Sequence, residues 1–177
     1  MTFSSFADWC RHIDSLSESA RHTVKVLLKK AGTDDAEAAE RILLSMTELH
    51  LYHSQITDIS SLGSLTNLTT LGIDFNKITG ISSLGSLTNL IKLSLFNNQI
   101  TDISSLGSLT NLITVSLGNN KITDISSLGS LTNLTTLDLR SNQITDISSL
   151  GSLTNLTTLI LEHNQLPTSD PSARSPI

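Results

Sequence analysis

Gln99-Ile100-Thr101-Asp102-Ile103-Ser104-Ser105-Leu106-Gly107-Ser108-Leu109-Thr110-Asn111-Leu112 decides the architecture, because these fourteen residues return along the chain. They stand as QITDISSLGSLTNL at 55–68, KITGISSLGSLTNL at 77–90, KITDISSLGSLTNL at 121–134 and QITDISSLGSLTNL at 143–156. Asn76, Asn98, Asn120, Asn142 and Asn164 follow one another at 22 residues each time. A fixed period of this length marks a solenoid built of stacked repeats.

Within one repeat the spacing is Leu90-x-x-Leu93-x-Leu95-x-x-Asn98. Leu93 in, Ser94 out, Leu95 in and Phe96 out predicts a half-buried strand. Six such strands lie between Leu49 and Leu161, and in parallel they stack about 4.8 Å apart. Ile100, Ile103, Leu106 and Leu109 recur every three residues, which predicts tight turns or 3₁₀ structure on the return limb, with Gly107 easing the bend. The convex side is then thin and the curvature gentle. Each fully buried Leu or Ile contributes roughly 1.5–3 kcal/mol, and no repeat can bury this surface alone. Asn76, Asn98, Asn120, Asn142 and Asn164 form a column at the strand-to-turn corner, where an amide can satisfy backbone groups the bend leaves unpaired. Asp58, Asp102, Asp124 and Asp146 form a second column suited to capping the turn, interrupted by Gly80.

On either side of the repeats the composition changes. Residues 1–46 are expected to be a helical cap. Trp9, Ile13 and Leu16 mark a short first helix. Ser15 and Glu18 have capping-box spacing before an apolar face of Val24, Val26, Leu27 and Leu28. Lys29 and Lys30 suit a helix C-terminus and Gly32 a stop. Asp34 to Glu37 opens a third helix whose buried stripe is Ala36, Ala39, Ile42, Leu43 and Met46. The repeats occupy 47–166, and 167–177, rich in Pro and Ser, is expected to be a disordered tail.

Only 3% of the 177 residues are aromatic against 38% hydrophobic, so the core must be Leu and Ile. The net charge of −5 argues against a nucleic-acid partner, which needs clustered Lys and Arg. Cys10, as a lone cysteine, allows no intramolecular disulfide. The first eight residues lack a basic stretch followed by an apolar run, and no run nears the roughly 20 apolar residues of a membrane span, so a cytoplasmic chain with no membrane contact is expected.

The pattern L-x-x-L-x-L-x-x-N resembles that of leucine-rich repeats, and Asn98 to Leu112 resembles the 22-residue repeats of bacterial internalins. The resemblance covers about 120 residues. It implies an α/β solenoid: a right-handed leucine-rich repeat horseshoe with a concave parallel β-sheet, a thin 3₁₀ or turn convex side and a helical N-terminal cap, used to grip protein partners. Two features depart from it. Internalins are exported proteins, and they usually carry I-S-P-L where this chain has Ile103-Ser104-Ser105-Leu106.

The repeats vary in the strand and just after it. The outward columns run His50, Gly72, Ser94, Ser116, Asp138, Ile160; then Tyr52, Asp74, Phe96, Gly118, Arg140, Glu162; then His53, Phe75, Asn97, Asn119, Ser141, His163; and, upstream, Thr70, Lys92, Thr114, Thr136, Thr158. Drift on a solvated face would also have altered the Ser and Thr residues of the convex side, so a protein-recognition surface is the better reading. Tyr52, Phe96 and Arg140 are residue types common among interface hot spots. Lys92, Asn97, Asp74, Asp138 and Glu162 add polar and charged selectivity. Phe75 points either outward or inward beside Asn76.

No cofactor, metal or catalytic residue is expected. Cys10 and His12 fall on different helix faces. Asp138 and Glu162 lie on an open sheet, and His50 and His53 do not converge as zinc ligands must. The alternatives are a structural or self-associating array, consensus-like or engineered and without a dedicated partner, and ice binding by the threonines at 57, 79, 101, 123 and 145. Leu159, Leu161 and Leu166, at an end without an evident cap, could support a homodimer.

Overall fold

Each repeat puts three residues into a strand: β1 Glu48–His50, β2 Thr70–Gly72, β3 Lys92–Ser94, β4 Thr114–Ser116, β5 Thr136–Asp138 and β6 Thr158–Ile160. They pair in parallel, in sequence order, in one six-stranded sheet. Equivalent positions face one another, with Leu71 beside Leu93 and Leu93 beside Val115. Backbone bonds continue the ladder past the strands: the Leu95 N–H donates to the Ser116 carbonyl at 2.8 Å and the Asn97 N–H to that of Gly118 at 2.9 Å. The structure is a computed structural model and describes residues 3–167, so all but the first residue of the expected tail lies outside the described residues.

The return limb of each repeat is a five-residue 3₁₀ turn, as in Ser104–Ser108. Ile100, Leu106, Leu109 and Leu112 are fully buried there and Ile103 nearly so, facing the fully buried Leu95 and the nearly buried Leu93 of the strand side. One continuous core runs from the N-terminal helices into the sixth repeat.

Three helices, α1 Phe6–Arg11, α2 Glu18–Ala31 and α3 Ala36–Ser45, precede the sheet. The α2 cap is Ser17, whose hydroxyl accepts from the Ala20 N–H, and not Ser15, which belongs to a short 3₁₀ turn. Asp35, one residue later than expected, caps α3. Gly32 ends α2 at φ 73°, the left-handed conformation that glycine adopts without strain. Ile42 is 38% exposed rather than buried, because the face of α3 turned to the core runs through Ala39 and Leu43. The Thr23 hydroxyl bonds the Asp58 carbonyl at 2.5 Å and His22 Nε2 pairs with the Ser54 carbonyl at 2.7 Å, which ties α2 to the first repeat.

The near-identity of the repeats has a physical cause that the sequence does not announce. Ser105 Oγ donates to the Ile81 carbonyl, Ser108 Oγ to that of Gly85, and Asn111 Nδ2 to that of Thr88, each one repeat back. The corresponding residues of the later repeats make the same bonds. The polar residues of the convex side are therefore the staples between layers. Ser61 is the exception. Helices, not a repeat, precede its layer, and among the described residues its buried hydroxyl has no partner. Ser61→Ala is expected to leave stability unchanged or raise it slightly, whereas Ser105→Ala should cost about 1 kcal/mol, because an unmade buried hydrogen bond loses nothing on deletion. Urea denaturation of both variants measures the difference.

Candidate functional site

The outward side chains of β1 to β6 form the concave face, and three aromatic or cationic side chains there lie across glycines. A Cβ placed on Gly72 would stand 2.5 Å from the Tyr52 hydroxyl, and one on Gly118 would stand 3.0 Å from both Phe96 and Arg140 Cγ. The small residues in the variable columns are therefore what lets the large ones lie down. Tyr52 Oη pairs with His50 Nδ1 at 2.8 Å, and its pKa is pushed up by burial and by the charge of Asp74.

Phe75 points outward and is 42% exposed, which settles the question its sequence position left open. Its φ of 56° turns the side chain away from the core, as do the positive φ values of His53, Asn97, Asn119, Ser141 and His163 in the same column. Non-glycine residues visit this left-handed region seldom, so the corner imposes it on whatever residue stands there. Phe75 stacks on His53 with ring centroids 4.5 Å apart and meets Phe96 edge to face at 5.6 Å. His53, Phe75 and Phe96 thus form a run of contacting rings over the first three repeats, and His50 and Tyr52 form a separate ring pair, with centroids 5.3 Å apart, at the first strand.

The polar residues sort into those held and those free. Asp74 Oδ1 accepts from Ser94 Oγ at 2.6 Å and from the Phe96 N–H at 2.7 Å. Asp138 is only 9% exposed, and its carboxylate takes the Arg140 side chain through Nε at 2.9 Å and Nη2 at 2.8 Å. It acts as the brace of Arg140 rather than as a separate charge, and its carboxylate raises the Arg140 pKa. Asn97 Oδ1 accepts from Asn119 Nδ2. Lys92 and Glu162 are exposed.

The asparagine column stands beneath this face. Asn98 Nδ2 donates to the Ile73 and Leu95 carbonyls, both at 3.1 Å, and its Oδ1 accepts from the Ile78 N–H at 3.1 Å. Asn76, Asn120, Asn142 and Asn164 repeat that pattern. On the return limb, the carboxylates of Asp58, Asp102, Asp124 and Asp146 each accept a backbone N–H two residues on, at 2.8 Å. These bonds hold Asp102, Asp124 and Asp146 below the usual carboxylate range.

Sequence reasoning missed two features. His50, His53 and Phe75 belong with Tyr52 and Phe96, which the column order suggested but the unknown direction of the corner residue obscured. A shallow apolar groove beside the strand starts is lined by Leu44, Ile91 and Ile113 with Asn67, Asn89 and Asn111. Its signal was the column Thr69, Ile91, Ile113, Thr135, Thr157, where isoleucine twice replaces threonine. Cys10 is half-buried, and desolvation pushes its thiol up to about 11, so it is a poor nucleophile. Among the described residues no three His, Cys, Asp or Glu side chains are grouped to hold a metal, and no helix is long and apolar enough to cross a membrane.

A family model described as leucine-rich repeats in two copies matches residues 45–86, 88–130 and 132–173. Among solved structures the chain is similar to internalin C2 from Listeria monocytogenes, at 46% identity and a TM-score of 0.67 over 70% of this chain and 54% of that one. It is similar to internalin F of the same organism at 31% identity and a TM-score of 0.77 over 90% of this chain and 47% of that one. The chain thus spans about half the length of these internalins. A third similar structure is the ectodomain of the plant receptor kinase GASSHO1/SCHENGEN3 from Arabidopsis thaliana, in complex with Casparian strip integrity factor 2. It matches at 35% identity and a TM-score of 0.60 over 67% of this chain and 16% of that one. No curated protein matches the chain in sequence.

Proposed function

The chain belongs to the leucine-rich repeat family, with repeats of the internalin type, and from that premise we propose that its concave sheet is a protein-recognition surface. The observation that carries this reading is the set of rings of Tyr52, Phe75 and Phe96, the last two in contact, with Arg140 braced by Asp138, on the face where the repeats differ from one another. Large rings held at an open surface are anchors for a partner, since burying them on association contributes more than any other side chains of the face. The Arabidopsis ectodomain, in complex with a second protein, supports the same use of the fold.

The constancy of the convex side is weaker support than the sequence promised. Its Ser and Asn residues are fixed by bonds between layers, so their invariance needs no functional contrast. The threonines at 57, 79, 101, 123 and 145 carry that comparison. They are exposed and make no side-chain hydrogen bond among the described residues, yet they do not vary.

Tyr52, Phe96 and Arg140 are the proposed anchors. Asp74, Lys92, Asn97 and Glu162 supply polar selection, and Asp138 positions Arg140. Leucine-rich repeat solenoids are typically not enzymes, and the function we assign is binding without catalysis. The test is a pull-down with the full chain beside a Phe96→Ala/Arg140→Ala variant, followed by titration of the captured protein. Loss of two anchors is expected to weaken binding at least tenfold. Because Arg140→Ala leaves the nearly buried Asp138 carboxylate without its cation, binding is compared at a temperature where melting curves show both proteins folded. Equal affinity for both proteins would sink the concave-site reading in favour of a self-associating scaffold.

A further inference from the structure

Asp74 is the short side chain between two tall ones. Its column runs Tyr52, Asp74, Phe96, and the ring of Phe75 stands on the next residue, 5.6 Å from that of Phe96. One carboxylate oxygen is fixed by Ser94 and the Phe96 amide, and among the described residues the other accepts no hydrogen bond. The negative field of this group already reaches Tyr52, and among the described residues no cation bonds to it. Among the described residues of the concave face, the carboxylates of Glu48, Asp74, Asp138 and Glu162 stand with two lysine or arginine side chains, Lys92 and Arg140; Arg140 is committed to Asp138, and Glu48 lies 3.9 Å from the His50 imidazole.

A carboxylate fixed through one oxygen, in a column between two ring-bearing residues, has the chemistry of a seat for a cationic side chain. The charge-assisted bond goes to the free oxygen, and the rings attract the same cation through their negative faces. We propose that Asp74, with Tyr52, Phe75 and Phe96 around it, seats a lysine or arginine side chain of the protein partner. The proposal rests on the concave face being a recognition surface and adds the chemistry of what it recognises: a basic residue on the partner, opposite an acidic face. Arginine is the better fit, because its planar guanidinium bonds the carboxylate and stacks on a ring at once.

Tyr52 is the chain's one tyrosine, so selective ¹³C-tyrosine labelling of the full chain gives a single resonance at the site. The probes are blocked pentapeptides of alanine with arginine, lysine, norleucine, phenylalanine or glutamate at the centre. Arginine and lysine peptides are expected to shift the Tyr52 signal saturably, more weakly as salt is raised, and at least tenfold more tightly than norleucine. Asp74→Asn keeps the acceptor for Ser94 and Phe96 and should reduce the arginine peptide's affinity about tenfold. Phe75→Leu keeps apolar bulk without a ring face and should reduce it about threefold. Norleucine binding as tightly as arginine, unchanged affinity in Asp74→Asn, or no shift with any peptide would overturn the cation seat. A shift with the phenylalanine or glutamate peptide alone would overturn it too while leaving the recognition surface standing. Failure of the recognition reading itself shows separately, as equal partner capture by the Phe96→Ala/Arg140→Ala variant.

Discussion

Asn120→Ala is expected to destabilise the fold by about 3 kcal/mol, although it removes one small polar side chain near the surface. Asn120 Oδ1 accepts from the Ile100 N–H at 3.0 Å, and Nδ2 donates to the carbonyls of Leu95 at 3.0 Å and Leu117 at 2.9 Å. The ladder is interleaved. The Leu95 carbonyl also accepts from Asn98, and that of Leu117 also from Asn142. Both carbonyls therefore keep one partner in the variant. The Ile100 N–H keeps none, and it is buried where water cannot replace the amide. An orphaned buried donor costs about 1–3 kcal/mol, to which the lost bonds of the amide add. Asn164 is the control. Its bonds are only part-buried, and Asn164→Ala should cost about 1 kcal/mol because water reaches the groups it leaves. Urea titrations followed by circular dichroism compare the two, and equal losses would refute the ladder account.

Leu106→Ala is expected to cost about 3–4 kcal/mol, since a fully buried leucine leaves both its transfer free energy and a cavity behind. Leu106 sits on the return limb of the third repeat, between Leu84 and Leu128 of the adjoining layers, and all three are fully buried. In a stack where each layer touches only its neighbours, this cavity weakens two interfaces at once. Unfolding should therefore lose cooperativity as well as midpoint, with a lower denaturant slope or two resolved transitions. Leu150 occupies the same position on the return limb of the fifth repeat and is 9% exposed. Leu150→Ala should cost about half as much and leave the slope unchanged, because only one full layer packs against it. An unchanged slope in Leu106→Ala would mean that the array unfolds as a single block despite its layered contacts.

The sequence alone determined the stack. A 22-residue period with apolar residues at strand spacing and then at spacings of three has one physical solution: a strand and a 3₁₀ limb closing on a shared core, copied without change of register. The asparagine corner and the aspartate turn caps were legible for the same reason, since their partners are backbone groups whose places the period fixes. The helical cap was legible in outline, although its caps shifted from Ser15 to Ser17 and from Asp34 to Asp35, because several small polar residues in a row offer equivalent starts. The direction of Phe75 needed the tertiary structure. A left-handed corner residue breaks the alternation that tells inside from outside, and only the closed solenoid shows the ring leaving the core to meet Phe96. The structure likewise decided that Asp138 serves Arg140, that Tyr52 and Phe96 lie over glycines of the next repeat, and that the uniform serines are staples between layers. Apart from the Asp138–Arg140 pair, two residues apart in one repeat, each of these is a relation between side chains or backbone brought together from different turns of the solenoid or from across its corners. Their distances are set by how the layers stack and by the rotamers the neighbours allow, which a linear pattern of residue types does not contain.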